Sequence, residues 1–295
     1  MKFPVIFSSS VRIIGLLVLA CLLQSCSAVK LAYNQATDLA YWYLDGYVDF
    51  SSEQSLQVKE ELGKLQVWHR QTQLPSYIDT LQKLQQKVPA DVTALEACSV
   101  FTEVRRKVVV LTDQTQPAVV AMLDTLSSSQ LDQVARKFDK SNAEFRSDYM
   151  QTSKPANQSK RYKQAVSRAE MLYGRLDDKQ LALVAQQIEK SRFNATMSFA
   201  ERQRRQQDTL QTLRMLSKNQ APMAEKRQAV RSLYERALAS PNPNHVVYAD
   251  VLTQEACKNF ADLHNSTTAS QRRKAVATLQ GYEQDMKTLS AQGNG

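Results

Sequence analysis

Residues 177–188 have the sequence DDKQLALVAQQI, which combines a helix start with a helical face. Asp177 precedes Gln180 by three residues. This is the spacing of a capping box, in which the first side chain accepts a backbone N–H and the Gln side chain reaches back. Leu181 and Val184 follow at the three-residue spacing of one helical face. The stretch therefore predicts an amphipathic α-helix that begins just after Asp177.

The same signature occurs at three other places in the chain. The spacings between them are unequal, so they indicate separate helix starts rather than a solenoid. With only 7 Gly and 8 Pro, and no sustained strand alternation, the chain is predicted to be all-α, a single-domain bundle of roughly nine or ten helices. The three further starts are Ser51-Ser52-Glu53-Gln54, Ser127-Ser128-Ser129-Gln130 and Thr268-Ala269-Ser270-Gln271.

The N-terminus has the pattern of a bacterial export signal. Basic residues precede an apolar run at 13–23, which at about 11 residues is shorter than the roughly 20 that span a bilayer. The run ends at Leu23-Gln24-Ser25-Cys26, which resembles a lipobox. We predict a removed lipoprotein signal peptide at 1–25 and a helical periplasmic body at 26–295. Cleavage before Cys21, or an ordinary signal or membrane-anchored N-terminus, is the alternative.

The lipobox implies that Cys26 carries acyl chains. Two or more chains give stable membrane anchoring, and Ser27 after the cysteine favours the outer membrane in this resemblance. The net charge of +9 indicates an acidic neighbour, such as phospholipid, lipopolysaccharide or an acidic protein. Export argues against nucleic acid as a partner.

Two cysteines remain in the predicted body, Cys98 and Cys257, each within a Glu-Ala-Cys-x-x-Phe sequence. In an oxidising periplasm such a pair is more often a disulfide than two thiols. A bridge would close a loop of about 160 residues and connect early helices to late ones. We predict a Cys98–Cys257 disulfide, with two buried free thiols as the alternative.

Aromatic residues are concentrated between Val29 and Tyr47, close to the predicted anchor. Tyr and Trp favour the membrane–water interface, so one hypothesis is membrane contact. The other is a first helix packed on the body.

The longest helical pattern runs from about Lys179 to Lys218, but residues 201–208 have no apolar member on any face. A helix that is polar all round is usually solvated and projecting. We therefore predict an exposed surface at Arg202, Arg204 and Arg205, with the lining of a wet groove as the alternative.

The densest polar and aromatic segment is 68–77. Trp68, His69, Arg70 and Tyr77 are the first candidates for a ligand site, in which Arg70 would pair with an anion and the rings would stack. The alternative is a structural corner, with one helix ending near Arg70 and another opening at Pro75. Three scattered histidines and the absence of a Gly-rich phosphate loop predict no metal, no cofactor and no catalytic group.

The chain resembles an uncharacterised family of Gram-negative lipoproteins of unknown function. The resemblance is carried by the lipobox, Tyr33-Asn34, Leu44-Asp45-Gly46-Tyr47 and the W-H-R-x-x-x-L-P-x-Y segment, and implies outer-membrane attachment and a helical body. Separately, Leu126 to Gln130 and Leu176 to Gln180 are similar to the L-T-x-x-Q signature of small periplasmic stress chaperones of the Spy type, although neither has the Thr.

These observations favour a non-enzymatic envelope protein that binds other proteins, as a scaffold or holdase-like factor. The alternative is a carrier or sensor of an acidic lipid or glycan, using Arg70, Trp68 and Tyr77 or an opening between helices.

Overall fold

The computed structural model describes residues 28–151, 153–218 and 221–292. Within these ranges the chain forms twelve α-helices and no β-strand, which confirms the all-α prediction. The predicted signal peptide (1–25) and Cys26 lie outside the described residues. The helices are α1 (Ala28–Asn34), α2 (Ala36–Val48), α3 (Ser52–Trp68), α4 (Leu74–Lys87), α5 (Ala94–Leu123), α6 (Ser128–Phe145), α7 (Lys154–Tyr173), α8 (Asp178–Lys190), α9 (Ala195–Lys218), α10 (Met223–Leu238), α11 (Pro243–Asn265) and α12 (Ala269–Ala291).

All four predicted capping boxes are present. They begin α3, α6, α8 and α12, and in each the N-cap side chain accepts from the backbone N–H of the Gln while the Gln side chain accepts from the N-cap N–H. A fifth box, formed by Thr93 and Glu96, begins α5.

The four glutamines also join the helix starts in pairs. The amides of Gln180 and Gln271 donate to each other's side-chain oxygens, both at 2.8 Å, and then to Ser266 O and Arg175 O respectively. Each of these carbonyls lies two residues before the partner's N-cap. Gln54 and Gln130 repeat the pattern between α3 and α6, with Thr125 O and Asp49 O as the carbonyl acceptors. We call the two arrangements the paired helix starts.

Two clusters of buried apolar side chains form the interior. The first core combines residues of α4, α7, α8, α11 and α12, and the second combines residues of α5, α9 and α10. Tyr173 and Ala275 belong to the first core, and Val120 and Val230 to the second. Helix α5 joins the two regions, because its first half packs on α11 and its second half on α10.

The predicted disulfide is present. Cys98 of α5 and Cys257 of α11 are bonded across a sequence separation of 159 residues. The side chain of Cys257 is fully buried. The bridge therefore connects an early helix to a late one, as predicted.

The predicted helix end near Arg70 is wrong. Residues His69–Gln73 form a π-helical turn, in which the N–H of Leu74 donates to His69 O, so α3 passes into α4 without a break. Pro75 has no N–H and crowds the carbonyl four residues earlier in an α-helix. The wider turn accommodates the proline within a continuous helix. The sequence pattern indicated a helix end here because proline usually interrupts an α-helix.

The continuous helix predicted from Lys179 to Lys218 is also wrong. It is interrupted at residues 191–194, where Ser191 is extended and the Tyr248 hydroxyl accepts the N–H of Asn194 at 2.8 Å. A tertiary contact from α11 therefore supports a break that the apolar spacing does not reveal.

His264 is the most completely enclosed titratable side chain of the first core, with no exposed surface. Its Nε2 lies 2.8 Å from Ala90 O, and its Nδ1 lies 2.8 Å from the Tyr173 hydroxyl. Because a carbonyl only accepts, Nε2 carries the proton and Nδ1 accepts from Tyr173. The neutral ring is fully satisfied, and burial lowers the pKa of His264.

Stability is therefore expected to fall as the pH is lowered below about 6.5, the ordinary histidine pKa. In that range the unfolded chain binds a proton at His264 that the folded chain does not. The slope contributed by this residue is at most about 1.4 kcal/mol per pH unit. Urea unfolding between pH 5 and 7.5 measures it. The slope should be smaller in His264→Gln, and an equal slope in the variant would contradict the assignment. His69, whose pKa burial also lowers, contributes with the same sign in both proteins.

Candidate functional site

The seven predicted surface residues fall into two groups on different helices. Trp68, His69, Arg70 and Tyr77 surround the π-helical turn between α3 and α4, and Arg202, Arg204 and Arg205 lie on α9. The structure assigns different environments to the two groups.

His69 is the centre of the first group. Its Nδ1 lies 2.8 Å from the Tyr33 hydroxyl and its Nε2 lies 3.3 Å from the Tyr77 hydroxyl. Its ring also meets the ring of Trp68 edge to face at 6.4 Å. Burial lowers the pKa of His69 and raises that of Tyr77. These contacts connect α1 to both α3 and α4.

Arg70 is engaged in the same junction. Its Nη2 donates to Asn34 Oδ1 at 2.7 Å, and its guanidinium lies 5.5 Å from the Tyr33 ring centroid. Its buried Nε has no hydrogen-bond partner among the described residues. The 68–77 segment thus fastens α1 to the body, and it does so within a continuous helix rather than at a corner between two helices.

Glu201 explains why the polar stretch of α9 does not project into solvent. Only 5% of Glu201 is exposed. Its carboxylate accepts from Arg204 at 2.8 Å and from Arg205 at 2.9 Å, and also from the Ser240 hydroxyl at 2.8 Å. The prediction of a helix exposed on all sides is therefore wrong, because Glu201 is buried between arginines of its own helix and the loop after α10.

The electrostatics of this network favour charged forms. Burial alone would raise the pKa of Glu201, but the hydrogen bonds from Arg204, Ser240 and Arg205 outweigh burial and lower it to about 2. Arg204 also donates to Arg236 O at 2.8 Å and lies near Asp208, which Arg236 holds through two hydrogen bonds of 2.8 and 2.9 Å. Arg204 is thus an internal structural residue.

Arg202 and Arg205 line an open groove, together with Glu201. The groove has a volume of about 580 Å³ and lies among α2, α6, α9 and α11. Its walls combine aromatic rings with polar side chains and the two guanidinium groups. The aromatic members are Tyr43, Tyr47, Phe138, His245 and Tyr248. We call this the basic groove.

Hydrogen bonds from the Nε atoms hold the two guanidinium groups in place. Arg202 Nε donates to the buried Asn142 Oδ1 at 3.0 Å, and Asn142 in turn donates to Gln206 at 2.7 Å. Arg205 Nε donates to Glu201 at 2.9 Å. The Nη atoms of both arginines have no hydrogen-bond partner in the described ranges, so the groove presents oriented donors to an incoming acceptor.

Charge in this region is positive even after internal pairing. Arg204, Arg205 and Arg236 pair with two carboxylates, Glu201 and Asp208. Arg202 bonds the neutral Asn142 instead, so the four arginines leave two positive charges. Arginine donors of this kind suit carboxylate and phosphate groups. The groove is therefore suited to an acidic group flanked by surfaces that stack on tyrosine.

Sequence reasoning found the arginines of the groove but missed its walls. Tyr43 and Tyr47 lie in the aromatic N-terminal segment, and their rings are 5.1 Å apart. His245 and Tyr248 follow the Pro-Asn-Pro loop and are 5.9 Å apart. Neither pair has a local signal that links it to α9, since the groove depends on the packing of four helices.

Metal binding has no support in the described part of the chain. No group of three His, Cys, Asp or Glu side chains is placed to hold a metal ion there. Among the described helices, none combines the length and the apolar composition of a membrane-spanning segment.

The described chain is thus an all-α protein with an open basic groove. It belongs to DUF6279, a family of unknown function, whose model matches residues 46–236. No curated protein and no solved structure matches the chain. The match contains the 68–77 segment and the arginines of α9, whereas the lipobox, α1 and all of α11 lie outside it. The predicted membership of an uncharacterised family is confirmed, and the lipoprotein and chaperone resemblances stay predictions.

Proposed function

We propose that the protein is a non-enzymatic, lipid-anchored factor of the outer membrane that binds a partner protein on the periplasmic side. It would act as a scaffold or holdase-like factor, and the basic groove would receive an acidic segment of the partner. The observation that carries the proposal is the pair of guanidinium groups, Arg202 and Arg205, which are held through their Nε atoms and line an aromatic-walled groove.

A protein segment suits the groove because its walls offer both charge and apolar surface. Arginine and tyrosine are the side chains that dominate binding energy at protein interfaces. Tyr43 is 59% exposed and stands at the edge of the groove, where a partner would cover it. An acidic glycan or lipid headgroup is the alternative ligand, and the basic groove offers it freer donors than Arg70, which is bonded to Asn34.

The double variant Arg202→Gln, Arg205→Gln tests the proposal. Hydrogen bonds to charged groups contribute about 1.5–3 kcal/mol each, so loss of both is expected to weaken partner capture by more than tenfold. Capture is measured by photocrosslinking in intact cells from a reactive side chain at Ala249, a residue of the groove wall.

Arg214→Gln is the matched control. It removes one positive charge from the same helix, but Arg214 pairs with the exposed Asp132 outside the groove. Crosslinks from Ala249 to discrete proteins that persist in Arg214→Gln and disappear in the double variant would support the proposal. Crosslinks that survive the double variant would place the partner elsewhere, and displacement by a carboxylated sugar would favour the glycan alternative.

A further inference from the structure

Helices α1 and α2 expose an apolar stripe on the side away from the body. Leu31, Leu39 and Trp42 are 62%, 56% and 74% exposed. The backbone ladder continues across the short interruption at Gln35, whose N–H donates to Leu31 O and whose carbonyl accepts from the N–H of Leu39. Offsets of 8 and 11 residues lie on one face of a continuous helix. We call these three residues the outer stripe.

The opposite side of the same helices is fixed to the body. The Tyr33 hydroxyl contacts His69, the Tyr41 hydroxyl donates to Ser55 Oγ at 2.9 Å, and the Tyr47 ring packs edge to face on Phe138 at 5.9 Å. The outer stripe is therefore the outward face of a docked helix. These three tyrosines of the aromatic segment face the body, whereas Trp42 faces away from it.

Position in the chain distinguishes this stripe from the other exposed apolar side chains. Helix α1 begins two residues after Cys26. Two residues of extended chain span at most about 7 Å, so acyl chains on Cys26 would hold the start of α1 at the bilayer surface. The stripe from Leu31 to Trp42 is then roughly 16 Å long at 1.5 Å per residue, and it reaches the interface only if the helix lies along the membrane.

Its composition also fits the interface. Trp favours the level of the lipid headgroups, and Leu favours the acyl boundary below them. The stripe has no charged member, although Asp38 lies beside it in α2. We therefore expect the outer stripe to bind a zwitterionic bilayer surface without a requirement for anionic lipid.

We propose that the outer stripe of α1 and α2 lies on the bilayer surface and fixes the orientation of the body relative to the membrane. The proposal rests on the lipid anchor of the proposed function but not on the basic groove. With Trp42 at the interface, neighbouring Tyr43 would place the mouth of the groove beside the membrane.

Tryptophan fluorescence tests the proposal, because the chain contains only two tryptophans, Trp42 and Trp68. The acylated lipoprotein is purified as Trp68→Phe, so that Trp42 is the sole reporter, and reconstituted in phosphatidylethanolamine vesicles with brominated acyl chains. We expect blue-shifted Trp42 emission that the bromine quenches. The matched control is Leu95→Trp in a chain lacking both native tryptophans. Leu95 is 80% exposed at the start of α5, at the opposite end of the α4–α12 pair from α1.

Quenching of Trp42, together with unquenched emission from the Leu95→Trp control, would support the proposal. Trp42 emission at the wavelength of water-exposed tryptophan, without quenching, in the tethered protein would overturn the proposal. If Trp68→Phe does not fold, the difference between the wild-type spectrum and that of Trp42→Phe gives the same information. If mass analysis shows no acyl chains, the anchor prediction fails separately. A maleimide lipid coupled to the Cys26 thiol then supplies the tether, and quenching of Trp42 still tests whether the outer stripe lies on the bilayer.

Discussion

Replacing Cys98 and Cys257 together by alanine is expected to lower the free energy of unfolding by about 5 kcal/mol. The chain-entropy model gives this value for a closed loop of 159 residues. For a chain of this length the corresponding fall in melting temperature is roughly 10 °C. Thermal unfolding followed by circular dichroism measures it.

The surroundings of the bridge support a large effect. The first half of α5 is separated from α4 and α12 by an apolar opening of about 340 Å³, whose walls include Phe101 and Val104. These two side chains are 48% and 53% exposed. Since α5 is only partly packed on that side, the covalent bond to α11 adds to its noncovalent contacts with α10 and α11.

Reduction of the wild-type protein is the control that introduces no substitution. A phosphine reductant should destabilise the wild-type protein and leave the double alanine variant unchanged. A melting temperature that neither treatment lowers would mean that α5 is held by its noncovalent contacts alone.

The second large effect is expected for Gln180→Leu, which should cost about 3–4 kcal/mol. Gln180 is 1% exposed. Its amide nitrogen donates to Ser266 O and Gln271 Oε1, and its amide oxygen accepts the N–H of Asp177, at distances of 2.8–3.1 Å. Leucine has a similar size but removes the partner of Ser266 O and of the Asp177 N–H, and each buried unsatisfied group costs about 1–3 kcal/mol. The loss would disconnect the starts of α8 and α12, which is measurable by urea unfolding.

Gln186→Leu is the matched control on the same helix. Gln186 is exposed and makes no side-chain hydrogen bond in the described structure, so its replacement should change stability by no more than about 0.5 kcal/mol. If the two variants were equally stable, the paired helix starts would contribute little, and the glutamines would be ordinary caps.

The helix starts could be predicted because their chemistry is local. A side chain at the N-cap and a Gln three residues later suffice to specify a capping box, and all four occur where the sequence indicates. The pairing of Gln180 with Gln271 depends on residues 91 apart, so nothing in the local pattern reveals it. For Glu201 the local pattern was misleading. A run of charged residues predicts a solvent-exposed helix, but Glu201 is buried against Ser240 of the loop after α10.

The candidate site divides in the same way. Arg202 and Arg205 were identifiable from the sequence, while the tyrosines of α2 and the His245–Tyr248 pair of α11 joined them only through packing. The 68–77 segment was prominent in the sequence because it is rich in polar and aromatic residues. Within it, His69 and Arg70 hold α1 through Tyr33 and Asn34, contacts that no local pattern reveals.

The packing of α4 on α12, and of α1 on the same helix, has a consequence for the order of folding. A chain is synthesised and delivered from its N-terminus, yet α1 and α4 complete their packing only against α12, where Lys30 meets Asp285 and Gln82 meets Glu283. Contacts of such long sequence separation form slowly. Until residues 269–291 arrive, the first core lacks Ala275 and Leu279, so the growing polypeptide depends on this helix to become resistant to proteases and aggregation.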